Sequence, residues 1–381
     1  MALDVAVQLD GKIIAAGFAW TGSDRDIALV RYTPGGVLDS TFGSGGKLTT
    51  PVTPDTDDTA YALAVQPDGR IVAAGNTLAG TSSDFALVRY TSNGSLDPTF
   101  GSGGKVVTSL RPSYDTAYAV AIQPDGKIVA AGQTWDGLAY DFAVVRYTST
   151  GALDATFGIG GKIITEFGST SAGAYDMLLQ PDGKIVLAGY SCGSCEFALA
   201  RYTSTGALDS TFGTGGMVTT LIGSTGAASG VALQADGKIV VAGTAYHRSS
   251  YPQLSRPLMS LARYTAAGGL DPTFDGDGTV VTPFGPRATS TANDVAVQAD
   301  GKIVAVGVRQ QRFWQFAVAR FEPTGTLDPA FGTGGKVITS IGTTAGAYAM
   351  AIQPDGKIVA AGIGGYGGAS ATDFGLARYL P

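Results

Sequence analysis

Histidine is almost missing from this sequence. His247 is the single one in 381 residues. Any reaction or metal site built on imidazole therefore has one residue to use. Cysteine is nearly as scarce, with only Cys192 and Cys195 present. Their CxxC spacing lacks the βαβ context of a redox motif. A zinc site there would need two further ligands, and His247 could supply only one. A local disulfide stapling a loop is the expectation for a secreted chain. Charged residues make up only 15% of the sequence, with a net charge of −6. That acidic excess argues against nucleic acid, whose affinity rests on Lys and Arg neutralising phosphates. It argues equally against anionic membranes. No apolar run approaches the roughly 20 residues of a membrane helix, so no membrane insertion is expected. No leader precedes the first repeat, which fits a trimmed or processed form. No segment has helical periodicity, and no motif implies a cofactor or a metal.

Glycine, by contrast, is abundant, at 56 residues. It follows no Gly-X-Y period and falls at turns. The tetrad Gln-x-Asp-Gly begins at Gln8, Gln66, Gln123, Gln180, Gln234, Gln298 and Gln353. Seven copies of 54 to 64 residues mark a repeat architecture. In the second copy, residues 60–66 alternate as a strand does, 67–69 form a turn and 70–74 a second strand. Residues 84–90 and 105–108 read as third and fourth strands, with a glycine-rich turn between them. Four strands per copy and seven copies predict an all-β, seven-bladed β-propeller of antiparallel four-stranded blades, one domain over 1–381. A parallel β-helix is the rival, but it lacks hairpin turns within each coil. The seventh copy stops after its third strand. Either the last blade is three-stranded, or residues upstream of Met1 complete it.

Residues 123–132 (Gln-Pro-Asp-Gly-Lys-Ile-Val-Ala-Ala-Gly), 142–147 (Phe-Ala-Val-Val-Arg-Tyr) and 151–158 (Gly-Ala-Leu-Asp-Ala-Thr-Phe-Gly) carry a family resemblance. They resemble the delta-60 repeat, a bacterial β-propeller family of secreted and cell-surface proteins. The resemblance covers nearly the whole chain. It implies the propeller fold and an extracellular or cell-surface setting, and it brings no catalytic motif. The least typical loops are those at 244–258 and 308–315.

In an antiparallel meander successive turns alternate between the two ends of the sheet. The first-to-second and third-to-fourth turns recur almost unchanged. The other two connections vary, so variation collects at one end. Trp20, Trp135 and Trp314, Tyr190, Tyr246, His247, Arg309, Arg312 and Tyr366 all fall in the second-to-third strand loops. Exposed Trp, Tyr and Arg are the types enriched at binding hot spots. They predict a binding face for a glycan or a protein on a monomeric module. The bland reading is that they fold back as plugs over the blade ends.

Asp4, Asp176 and Asp294 share one aligned position in the first strand. With His247 they are the candidates if the chain is instead a hydrolase or lyase, using a pocket at the top of the central channel. The bland reading is that each accepts backbone hydrogen bonds. Asp275-Gly-Asp277-Gly278 resembles a fragment of a calcium loop but lacks the remaining oxygens, so turn chemistry is expected. An arginine recurs seven times, from Arg31 to Arg378, and the aspartate of Leu-Asp-x-x-Phe six times, from Asp39 to Asp328. Such regularity suits a structural pairing. A structural spacer without a small ligand is the remaining reading of the whole.

Overall fold

Alternating large and small residues, broken by left-handed glycines, give a chain of strands alone in the computed structural model. It describes residues 1–22, 24–168, 171–248, 255–365 and 373–381. The first copy forms β1 (Ala2–Val7), β2 (Ile13–Trp20), β3 (Arg25–Tyr32) and β4 (Lys47–Thr50), paired in that order. The second forms β5 (Asp57–Val65), β6 (Ile71–Ala79), β7 (Ser82–Tyr90) and β8 (Lys105–Thr108) in the same way. The third repeats this with β9 (Asp115–Ile122), β10 (Ile128–Trp135), β11 (Tyr140–Tyr147) and β12 (Lys162–Thr165).

The contacts divide the chain into two units, Met1–Leu179 with Ser204–Ala207, and Gln180–Thr203 with Leu208–Pro381. β13 (Ser171–Leu179) ends the first unit. In the second, β14 (Ile185–Cys192), β15 (Glu196–Tyr202) and β16 (Met217–Thr220) pair in order. The fifth copy is β17 (Thr225–Leu233), β18 (Ile239–Arg248), β19 (Ser255–Tyr264) and β20 (Thr279–Thr282). The sixth is β21 (Thr289–Val297), β22 (Ile303–Gln310), β23 (Trp314–Phe321) and β24 (Lys336–Thr339). The seventh has three strands, β25 (Thr344–Ile352), β26 (Ile358–Gly365) and β27 (Asp373–Tyr379). A single parallel bridge, Trp314 to Thr344, joins the last two sheets.

Each tetrad closes a hairpin. In the third copy the Gln123 N–H donates to the Lys127 carbonyl at 2.8 Å, and the Gly126 N–H to the Gln123 carbonyl at 2.9 Å. Gly126 sits at φ 82°, which glycine adopts without steric penalty. The Asp125 carboxylate accepts the Lys127 N–H at 3.1 Å.

The core lies between successive sheets. Phe100, Ala117, Ile128, Ala143 and Val145 form one such layer in the first unit, all fully buried. Burying a phenylalanine in this way is worth about 2 kcal/mol. Small first-strand residues let the next sheet approach, as Ala117 does here.

The first strand carries a feature that alternation hides. Ala119 faces Ala131 while Ala117 faces Gly132, so Tyr118 is an extra, bulged residue. The same slip occurs at Leu3, Tyr61, Ser229, Asn293 and Tyr348. It explains the second-strand glycine of every copy where the slip occurs. A Cβ on Gly132 would lie 1.9 Å from the Thr116 carbonyl oxygen. The architecture is that of a seven-bladed β-propeller, all β, with a three-stranded last sheet.

Candidate functional site

The two ends of the sheets are built by different chemistry. At the turn end six of the seven recurring arginines are almost fully buried, and Arg378 of the last copy is exposed. Arg146 Nε donates to Asp154 Oδ2 at 2.8 Å and its second nitrogen to the Ser204 carbonyl at 2.6 Å. Its guanidinium lies 4.3 Å from the Phe157 ring centroid. Asp154 Oδ1 takes the Thr156 hydroxyl at 2.7 Å and its N–H at 3.1 Å. The Thr156 hydroxyl, against the opposing effect of burial, and with the Arg146 charge, holds Asp154 down to about 2. The same Arg–Asp pair recurs as 31 with 39, 89 with 97, 201 with 209, 263 with 271 and 320 with 328. A depression of about 750 Å³ lies among the Gln180, Gln234 and Gln298 turns of the second unit. Another of about 470 Å³ lies between the Gln8 and Gln66 turns of the first.

At the loop end of the first unit, Trp20 closes β2 and is 67% exposed. Arg25 stands opposite it on β3, its guanidinium 5.9 Å from the indole and 5.2 Å from the Phe18 ring. Asp57 fixes that arginine, accepting its Nη2 at 2.8 Å and its N–H at 2.9 Å. The hydrogen bond from Arg25 pulls the Asp57 carboxyl below its usual range. Trp135 is only partly exposed, with its ring 4.8 Å from that of Tyr140. Nearby Arg111 is paired with Asp141 at 2.6 Å.

In the second unit a disulfide joins Cys192 and Cys195 across the β14–β15 turn. Tyr190 is partly buried opposite Phe197. Tyr246 and His247 end β18, where His247 faces Arg256. Burial lowers the His247 pKa, favouring neutral imidazole. Arg256 donates to the Pro286 carbonyl at 2.7 Å and Arg309 to the Phe284 carbonyl at 3.0 Å. Arg309 also bonds the Gln311 and Gln315 side-chain oxygens. Phe313 and Trp314 are 47% and 42% exposed, with the Arg312 guanidinium 5.5 Å from the Phe313 ring. Tyr366 lies outside the described residues.

The aligned carboxylates are held by backbone. Asp4 accepts the Val5 N–H at 2.7 Å and the Leu63 N–H of the next sheet at 2.6 Å. Asp294 accepts the Val295 and Met350 N–H groups, both at 2.7 Å. Asp176 accepts the Met177 N–H at 2.7 Å. Burial, opposed by its two backbone bonds, pushes the Asp294 carboxyl up to about 6. Asp277 caps its own turn through the Thr279 N–H and hydroxyl at 2.8 and 2.9 Å. Among the described residues no three of His, Cys, Asp and Glu gather closely enough to hold a metal ion. No helix there is long and apolar enough to cross a membrane.

Two features escaped the sequence reading. Tyr61, Tyr118 and Tyr175 of successive first strands touch edge to face, with centroids 4.9 and 5.3 Å apart. Their signal was the changing residue at one place in a recurring strand. Phe313 and Arg287 join the exposed face of the sixth copy. The signal there was the lack of acidic residues in segments 283–289 and 308–315.

A family model described as a β-propeller domain of unknown function, DUF5122, matches residues 8–42, 66–100, 123–157, 180–212, 234–274, 298–331 and 353–381. No curated protein matches. Among solved structures, the polysaccharide lyase Uly1 is 11% identical, with a TM-score of 0.53 over 99% of this chain and 89% of that one. A protein from Lactobacillus plantarum is 13% identical, with a TM-score of 0.55 over 97% and 95%. An α-L-arabinofuranosidase from Fusarium graminearum is 11% identical, with a TM-score of 0.51 over 83% and 92%. Likeness at these identities shows the fold alone. The seven matches follow the seven copies, and the chain belongs to the DUF5122 β-propeller family.

Proposed function

We propose that this chain is an extracellular or cell-surface binding module that recognises glycans at the loop end of its sheets. The observation that carries the reading is Trp20. An indole two-thirds exposed, beside an arginine held by Asp57, is a fixed apolar surface next to a fixed donor. Stacking on a sugar ring with hydrogen bonds at its edge needs that combination. Phe313 and Trp314 offer a second such surface. Loops on a rigid scaffold are where binding residues concentrate. Two solved structures of the same fold are a polysaccharide lyase and an arabinofuranosidase, so the scaffold is compatible with sugar recognition. Neither fixes the role of this chain.

Titration of the protein with a panel of neutral and acidic oligosaccharides, followed by tryptophan emission, tests the reading. A saturable change with at least one glycan, reduced in Trp20→Ala or Trp314→Ala, is expected. A flat response across the panel would leave a protein ligand or a spacer as the role.

A further inference from the structure

The loop segments differ in charge along the chain. Segments 21–26, 51–58 and 136–141 carry Asp24, Asp26, Asp55, Asp57, Asp58, Asp136 and Asp141 with one arginine, Arg25. Segments 244–258, 283–289 and 308–315 carry no acid and five arginines. In the second unit the contrast is made three-dimensional by one short connection, 283–288, between β20 and β21. Arg256 from β19 donates to its Pro286 carbonyl at 2.7 Å. Arg309 from β22 donates to its Phe284 carbonyl at 3.0 Å. Lys336 from β24 donates to its Pro283 carbonyl at 3.0 Å. The connection itself adds exposed Arg287, and the β22–β23 turn adds exposed Arg312.

Carbonyl acceptors orient these cations without neutralising them. Among the described residues, every ion pair of the second unit lies at the turn end, from Lys184 with Asp182 to Lys357 with Asp355. A cluster of positioned, unneutralised guanidinium groups in a chain of net charge −6 is a recognition device for fixed anions. The planar fork of arginine matches carboxylate and sulfate alike. Exposed Phe313 and Trp314 beside it call for a ligand that also has apolar ring faces.

From this we infer that the loop end of the fifth and sixth copies binds an acidic polysaccharide, one bearing uronate carboxylates or sulfate esters. The inference rests on the glycan reading and narrows it to a ligand class and a place. Free phosphate lacks the ring faces. Single-stranded nucleic acid shares both anions and rings, and is the competing outcome of the test.

The test uses the intact chain with four polymers: polygalacturonate, dextran sulfate, unmodified dextran and single-stranded DNA. Binding is measured at two salt concentrations for the wild type, for Arg287→Gln with Arg312→Gln, and for the turn-end control Lys357→Gln. Both acidic polysaccharides should bind more tightly than dextran and weaken as salt rises. The double variant should lose about tenfold in affinity for them, as removal of charge-assisted bonds does. Lys357→Gln, at the turn end and already offset by Asp355, should bind nearly as the wild type does. Both arginines of the double variant are exposed, and an unchanged thermal melt confirms its fold. Equal binding of dextran and the acidic polymers would overturn the inference and leave the glycan reading intact. Binding to none of the three polysaccharides overturns both. Preference for DNA replaces the ligand class.

Discussion

The turn end and the loop end of these sheets use the same residue, arginine, in opposite ways. At the turn end Arg146 is buried, shares a carboxylate with Lys127 and lies over Phe157. At the loop end of the second unit Arg309 bonds, among the described residues, uncharged oxygens alone. A guanidinium satisfied by a carboxylate has little left to offer a ligand. One oriented by carbonyls keeps its full charge. The comparison teaches that the partner, more than the residue type, separates scaffold from site.

The sharpest way to break that comparison is at the turn end. Arg146→Ala would strip the buried Asp154 of its closest cation and leave it only Lys127 at 3.4 Å, a loss of about 3 kcal/mol. Urea unfolding of the variant checks it, and a loss under 1 kcal/mol would make the network ornamental. Comparable in size is Gly132→Ala, between the two ends. Its methyl would meet the Thr116 carbonyl, and about 3 kcal/mol or more of stability should go. A melt as high as that of the wild type would show that the bulge can relax.

Acidity separates two kinds of aspartate. Asp154 is held at about 2, below its ordinary value. Its stabilising share is complete above about pH 4 and fades as pH falls toward 2. Asp294 is raised to about 6, so its ionisation opposes folding. Stability linked to it should fall as pH climbs from about 4 to about 6. Unfolding free energy measured from pH 2 to pH 7 should therefore rise and then dip. In Asp294→Asn the dip should vanish; an unaltered curve would assign it to another group.

The smallest effect is expected at the loop end. Trp314→Ala should change stability by no more than about 1 kcal/mol, because the residue is 42% exposed at the start of its strand. A large loss in the melt would make Trp314 a plug.

Much of this was legible in the residues. Gln-x-Asp-Gly marked every first hairpin, and six of the seven recurring arginines meet the six recurring aspartates. The bulge was not legible. Ala117-Tyr-Ala119 looks like plain alternation, and one inserted residue leaves no trace until the partner strand is seen. Trp135 and Trp20 look alike in sequence, yet one leans on Tyr140 and the other is open. The pairing of Arg25 with Asp57 spans 32 positions and two sheets, beyond any local pattern. Asp4 and Asp294 read as possible acids because sequence shows the carboxylate and hides the backbone N–H groups that occupy it.

The link from five of the turn-end arginines to a carbonyl of the following copy has a consequence for how such chains can lengthen. Arg31 reaches Ser92, Arg89 reaches Ser149, Arg146 reaches Ser204, Arg201 reaches Ala266 and Arg263 reaches Pro323. The second to fifth copies thus each hold a plug for their successor and a socket for their predecessor. The socket is a main-chain oxygen, which any residue supplies, so Ser, Ala and Pro serve equally. A gene duplication that adds a copy would bring a working connector whatever its side chains at that position. The array has a direction and a reusable joint, while the loops at the other end are left to diverge.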